Sequence, residues 1–267
     1  MCETEGAALS GGRAFGYFEH MILQSQLPYD ARQERALPGV RPLEGDWLLV
    51  DDAYAAQMAE RARLIEKDAA AVHALDESAR AAAEELLDTV LAALPEGFVQ
   101  DGGEVTRPDG VRVALDHSNP LITLGHLVQE DLCLMLPRDD VHVLAGAILC
   151  FPSGWRLAEK FNHPMVAIHD PVPSYDADIA KRVQRLFHGL QVGRPIWRFN
   201  RLWDSDPTLH KPGPRVPRPS NAAEVAPYFR SERQCLLRLP VSRAVVFSIH
   251  TYVVLRSVVS EGDRVSA

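Results

Sequence analysis

The apolar residues change their spacing once, at Gly102-Gly103, and that single change constrains the fold more than any other feature of the chain. Before it, Tyr54, Met58, Ala62 and Ile65 recur at helical spacing behind Asp51 and Asp52, either of which can cap a helix. A second stripe, Ala79, Ala83, Leu86, Val90 and Leu94, predicts a helix over about 76–94 that Pro95 and Gly97 stop. After it come short runs of Val, Leu and Ile between turn residues such as Pro108-Asp109-Gly110 and Pro137-Arg138-Asp139-Asp140. They predict strands over 132–136, 141–151, 165–169, 196–200, 232–239 and 244–255. A helix over 176–190 and a short helix or turn over 155–161 fall between them. With no regular β-α-β alternation, the expected class is α+β: a mostly antiparallel sheet with an N-terminal helical hairpin and helical insertions.

The 267 residues suffice for one domain with a substantial core, and we expect it over 27–259, between a flexible leader (1–26) and a frayed tail (260–267). A formal net charge of -8 argues against a surface built for nucleic-acid backbones. The basic run over 211–218 is broken by prolines and reads as a solvated loop within the proline-rich stretch 203–227. The four cysteines are scattered without metal or redox spacing, which points to buried thiols in a reducing compartment. No apolar run reaches the roughly 20 residues of a membrane span, and the first residues lack the pattern of a signal peptide. The expected location is the cytoplasm.

Phosphate-loop, dinucleotide, H-E-x-x-H, C-x-x-C and G-x-S-x-G motifs are all absent. What remains is a set of histidines in or beside apolar strands: His142, His163, His169 and His250. An imidazole there can ligate a metal or haem iron, or sit in the core with one hydrogen bond. His169 stands apart because Pro171 and Pro173 stiffen the chain behind it. His250 shares a strand face with Ser248 and Tyr252 and is its main rival. On the strand over 196–200, Arg198 and Asn200 share one face while Trp197 and Phe199 share the other, with Arg194 a few residues earlier. Such arginines can hold carboxylates or polarise bound oxygen, or pair on the surface with Glu159, Asp204 or Asp206. Glu232 or Gln234 can face the same pocket, or solvent. Glu130-Asp131 reads as an exposed strand start, with a carboxylate role in the site as the lesser alternative.

An ordered series of motifs over about 37–255 resembles the haem-binding subunit of the haem-dependent oxidative N-demethylases. It runs Pro42-Leu43-x-x-x-Asp46-Trp47-Leu48, Gln129-Glu130-Asp131-Leu132, Phe151-Pro152-Ser153-Gly154-Trp155, Ile168-His169-x-Pro171-Val172-Pro173, Arg194-Pro195-x-x-Arg198-x-Asn200 and Glu232-Arg233-Gln234. The resemblance implies a PAS-like sheet binding haem b through an axial histidine. It implies dioxygen-dependent demethylation of a small secondary amine such as dimethylamine, releasing formaldehyde, with electrons arriving from NADPH through partner flavin and iron-sulfur subunits. Residue by residue, it makes His169 the iron ligand, places Arg194, Asn200 and Arg233 at the cofactor, and gives Arg198 and Glu232 to catalysis. Arg201 departs from the tryptophan that the family pattern leads one to expect after Asn200. The alternative from another class is a haem-based sensor or binding module without turnover.

Overall fold

The computed structural model describes residues 21–32, 39–164, 177–214 and 219–260. The expected strand over 165–169, and His169 with it, lies outside them. The class is α+β, organised on one eight-stranded sheet whose pairings are all antiparallel. In chain order its strands are β1 (Arg41–Pro42), β2 (His73–Leu75), β6 (Asp131–Arg138), β7 (Val141–Ile148), β8 (Ile196–Phe199), β9 (Leu202–Asp204), β10 (Tyr228–Arg238) and β11 (Val245–Leu255). They lie in the order β1-β8-β10-β11-β6-β7-β2, with β9 also pairing with β10. A separate three-stranded sheet is built from β3 (Val99–Asp101), β4 (Glu104–Thr106) and β5 (Arg112–Ala114).

The β10–β11 hairpin is the spine, pairing Tyr228 with Leu255 at one end and Arg238 with Val245 at the other. Strand β11 falls within its expected range, while β10 begins four residues before its own because the polar residues Arg230 and Ser231 are drawn into the ladder and buried. The side chain of Arg238 ties the hairpin to the helix Ala177–Gly189 by donating through Nε to the Leu190 carbonyl at 2.9 Å.

The helices α1 (Tyr54–Lys67), α2 (Ala69–Val72) and α3 (Arg80–Ala92) form as their apolar stripes require, burying Met58, Leu64 and Ile65, then Ala83, Leu86 and Val90. They do not make the simple hairpin expected. Strand β2 runs between them and joins the sheet edge beside β7, and α4 (Pro120–Leu127) packs against both α1 and α3. The sequence signal for α4 is a turn, in which Asp116 accepts from the Ser118 amide at 2.9 Å, followed by proline at the first helical position. Helix α4 comes so close to the sheet that a Cβ on Gly125 would stand 2.8 Å from Cγ1 of Ile148 and 2.9 Å from Cδ1 of Ile65. Leu132, Leu134, Ile148 and Val246 meet Leu86, Leu87, Leu121 and Leu124 in the main core. A second core, with Met135, Leu144, Leu236 and Ile249, is covered by Phe187 and Leu190.

The proline-rich stretch over 203–227 is less irregular than expected, since its start belongs to β9 and it carries a short helix at Ala222–Val225. Within 21–26, Gln24 is buried and hydrogen-bonded to β11. The buried thiols expected from cysteine spacing are found at Cys133, Cys150 and Cys235.

Candidate functional site

Cross-strand register places Arg198 opposite Gln234, and Glu232 opposite Thr251. Directly paired residues of an antiparallel ladder project to the same face. Strand alternation then puts Arg198, Glu232, Gln234, Leu236, Ile249 and Thr251 together on one face of β8–β10–β11, and Asn200, just past β8, joins them. Its apolar part is Ile196, Leu236, Phe247 and Ile249, contiguous with the second core. Ile196, Phe247, Arg198, Asn200, Glu232 and Gln234 are half-buried.

The carboxylate is held from one side. Oε2 of Glu232 accepts from Nδ2 of Asn200 at 2.7 Å and from Nε2 of Gln234 at 3.0 Å, while the Glu232 amide donates to Oδ1 of Asn200 at 2.7 Å. Asn200 therefore fixes both the side chain and the backbone of Glu232. Arg198 behaves differently: its guanidinium makes no hydrogen bond among the described residues, although burial weakens its hold on its proton and the charge of Glu232 counteracts that. The surface pairings weighed for it are taken by others, since Glu159 pairs with Arg156, and Asp204 and Asp206 pair with Lys211. A partly desolvated cation with unused donors beside a fixed carboxylate can bind an anion or stabilise charge that develops on an oxygen.

On the opposite face of the same strands the cationic donors are engaged, while Oε2 of Glu130 has no hydrogen-bond partner among the described residues. His250 donates from Nδ1 to Oε1 of Glu130 at 2.9 Å and from Nε2 to Oδ2 of Asp51 at 3.0 Å. Burial alone would lower its pKa, but the charge of Glu130 and hydrogen bonds to both carboxylates outweigh it and hold the imidazolium up to about 9. Asp51 is shifted down: its burial acts upward, and the hydrogen bond and charge of His250 overcome it. Asp51 also accepts from Gln24, Gln129 and the Ala53 amide, so it makes the turn before α1 rather than capping the helix itself. Tyr252 stacks on the imidazole with centroids 4.6 Å apart. Arg233 lies on this face too, donating to the carbonyls of Asp46 and Trp47 at 2.7 and 3.1 Å, beside an aromatic group of Trp197, Phe199 and Tyr29.

Two buried ions position the loop over 149–154 at the end of the site. Asp131 accepts from the amides of Cys150 and Phe151 at 2.7 and 2.8 Å and pairs with Arg61 at 2.6 Å. Arg230 donates to the carbonyls of Phe151 and Leu209 at 2.8 and 3.0 Å. The reading of Glu130-Asp131 as an exposed strand start is corrected: both are buried, because one carboxylate balances His250 and the other Arg61. Asp51, Arg61 and Arg230 carry no motif of their own, and an ion pair between Arg61 and Asp131, 70 residues apart, leaves no local trace.

Of the expected site residues, the structure brings Arg198, Asn200 and Glu232 together. Arg194 is exposed on the turn over 191–194, and Arg233 points away from Glu232. His250 has both ring nitrogens engaged, so it can take no metal without releasing a carboxylate. His142 is buried and neutral, its pKa lowered to about 4 mainly by burial, with Nδ1 bonded to Gln184 at 2.8 Å. His163 is exposed, with Nδ1 on the Phe161 carbonyl. Among the described residues no three His, Cys, Asp or Glu side chains gather to hold a metal ion, and no helix is long and apolar enough to cross a membrane.

A model of the family described as haem-dependent oxidative N-demethylase, alpha subunit-like, matches residues 39–266. That span takes in the whole eight-stranded sheet, both faces of β8–β10–β11 and the loop that Asp131 and Arg230 hold. The chain belongs to the haem-dependent oxidative N-demethylase alpha subunit-like family.

Proposed function

We propose that the protein is a haem-dependent oxygenase component that removes a methyl group from a small secondary amine, with His169 as the iron ligand. The observation that carries the reading is a fixed carboxylate, Glu232, whose charge acts on a guanidinium, Arg198, that makes no hydrogen bond among the described residues, on a face that continues into apolar side chains. That donor set fits haem b: the half-buried Ile196 and Phe247 would line a flat apolar ring, and Arg198 would hold an anionic propionate. His169 is favoured as ligand because it stands in the His-x-Pro-Val-Pro motif of the resemblance, while His250 is bound at both nitrogens.

When bound, haem supplies the dioxygen chemistry that oxidises the N-methyl carbon. The chain's own residues bind and orient. Glu232, kept in one rotamer by Asn200 and Gln234, accepts a hydrogen bond from the ammonium form of the amine and takes its proton at Oε1. Arg198 stabilises negative charge on the oxygen side, and Phe247 and Ile196 keep water from the reacting carbon. NADPH-derived electrons would arrive through partner flavin and iron-sulfur subunits, and the setting would be cytoplasmic. We extend the family's PAS-like description to this sheet as part of the same reading, and assign Arg194 and Arg233 supporting rather than contacting roles.

The test is spectroscopic, then chemical. The purified protein should show a Soret band that is lost in His169→Ala and kept in His142→Ala. Reduced protein given dimethylamine and dioxygen should yield formaldehyde. A haem spectrum without formaldehyde, in the presence of a competent electron donor, would leave the sensor alternative standing.

A further inference from the structure

Thr251 is buried, and its Oγ1 has no hydrogen-bond partner among the described residues. Buried hydroxyls in folded proteins nearly always have one, supplied by protein or by ordered water. Three features surround it. Thr251 pairs directly with Glu232 across β10–β11, which sets their Cβ atoms about 4.5–5.5 Å apart on the site face. Oε1 of Glu232 accepts no hydrogen bond among the described residues, since Asn200 and Gln234 both use Oε2. Nε of Arg230 forms an ion pair with that Oε1 at 4.0 Å, too long for a direct hydrogen bond. The backbone of Thr251 is also pinned at the margin of the sheet, where Gln24 and Gln57 both donate to its carbonyl at 3.1 and 3.0 Å. Its hydroxyl thus belongs to the residue paired with Glu232, on the face that carries the carboxylate oxygen to which no described residue donates.

We propose that Thr251 is a positioning residue of this site, its hydroxyl holding a water that donates a hydrogen bond to Oε1 of Glu232. The water has the two to four polar partners that a buried water requires. It orients the free carboxylate oxygen and gives it a route for proton exchange while the site is closed. The consequence for catalysis rests on the demethylase reading above, whereas the hydrogen bond itself does not.

The test compares Thr251→Val with Thr251→Ser in the full-length protein. The carboxylate stretch of Glu232, identified in the infrared by its disappearance in Glu232→Gln, should shift in Thr251→Val and return in Thr251→Ser. The turnover number for formaldehyde should fall about tenfold in the valine variant, the effect of one hydrogen bond, with KM changed less. An unshifted band in Thr251→Val together with a raised melting temperature would mean a dry hydroxyl and overturns the proposal. Should the valine variant fail to fold, crystals of the wild-type protein decide: density for a water between the two oxygens upholds the assignment, and an empty gap ends it. Formaldehyde absent from the wild-type protein, with the band shift present, would fault the demethylase reading and leave the Thr251 assignment intact.

Discussion

The two faces of β8–β10–β11 carry similar residue types and use them in opposite ways. On one, His250, Asp51 and Glu130 form a closed cluster in which both imidazole nitrogens are taken, and Arg233 donates to two carbonyls. On the other, Arg198 has no hydrogen bond among the described residues and Glu232 leaves one oxygen open. A charge that has settled all its donors contributes to holding the chain together; one left with spare donors is available to a ligand. Polarity alone does not separate the two faces, and neither do the carboxylates, since Oε2 of Glu130 is also without a partner among the described residues; the engagement of the cationic donors does.

The sharpest way to break this contrast is to remove a member of each side. Replacing His250 with leucine leaves a buried and a half-buried carboxylate without their shared cation, and the loss should be about 3–5 kcal/mol of unfolding free energy in denaturant titration. A smaller loss would mean that the cluster is not structural. The second test uses pH. His250 has a folded pKa of about 9 against an unfolded value near 6.5, so its contribution is complete below about pH 6.5 and fades as pH rises through 9. Unfolding free energy should fall by a few kcal/mol across that window, and a glutamine at 250 should flatten the slope. The smallest effect belongs to the open face. Arg198→Leu removes a half-buried cation that makes no hydrogen bond among the described residues, so stability should change by less than about 1 kcal/mol, while formaldehyde production falls at least a hundredfold if the guanidinium stabilises charge in the reaction. A large loss of stability in Arg198→Leu would erase the distinction between the faces.

Much of the sheet was legible because strand alternation is local. The sharing of faces by Arg198 with Asn200, and by Trp197 with Phe199, follows from spacing alone, and register then adds Glu232 to the first pair. Helix α4 was missed because eight residues give too short an apolar pattern to stand out beside strands of equal length. The burial of Glu130 and Asp131 was misread for another reason: a charged pair before an apolar run looks exposed until its counter-ions, His250 and Arg61, arrive from 120 and 70 residues away. Long-range compensation of charge has no signature in a single sequence. Arg233 illustrates the same limit, since its neighbour Glu232 belongs to a motif with it and yet faces the other way.

Gln24 bears on a different property, the solubility of the fold. Strand β6 accompanies β11 only as far as Ile249, and the backbone beyond that point would present an unpaired margin. Gln24 covers it as a strand would: its backbone amide donates to the Val253 carbonyl, its side-chain oxygen accepts from the Val253 amide, and its side-chain nitrogen donates to the Thr251 carbonyl. One glutamine thus stands in for a neighbouring strand and denies the margin to another molecule. A variant shortened past residue 24 would lay open a hydrophobic strand end able to pair between molecules, so the segment around Gln24 acts as a guard against aggregation.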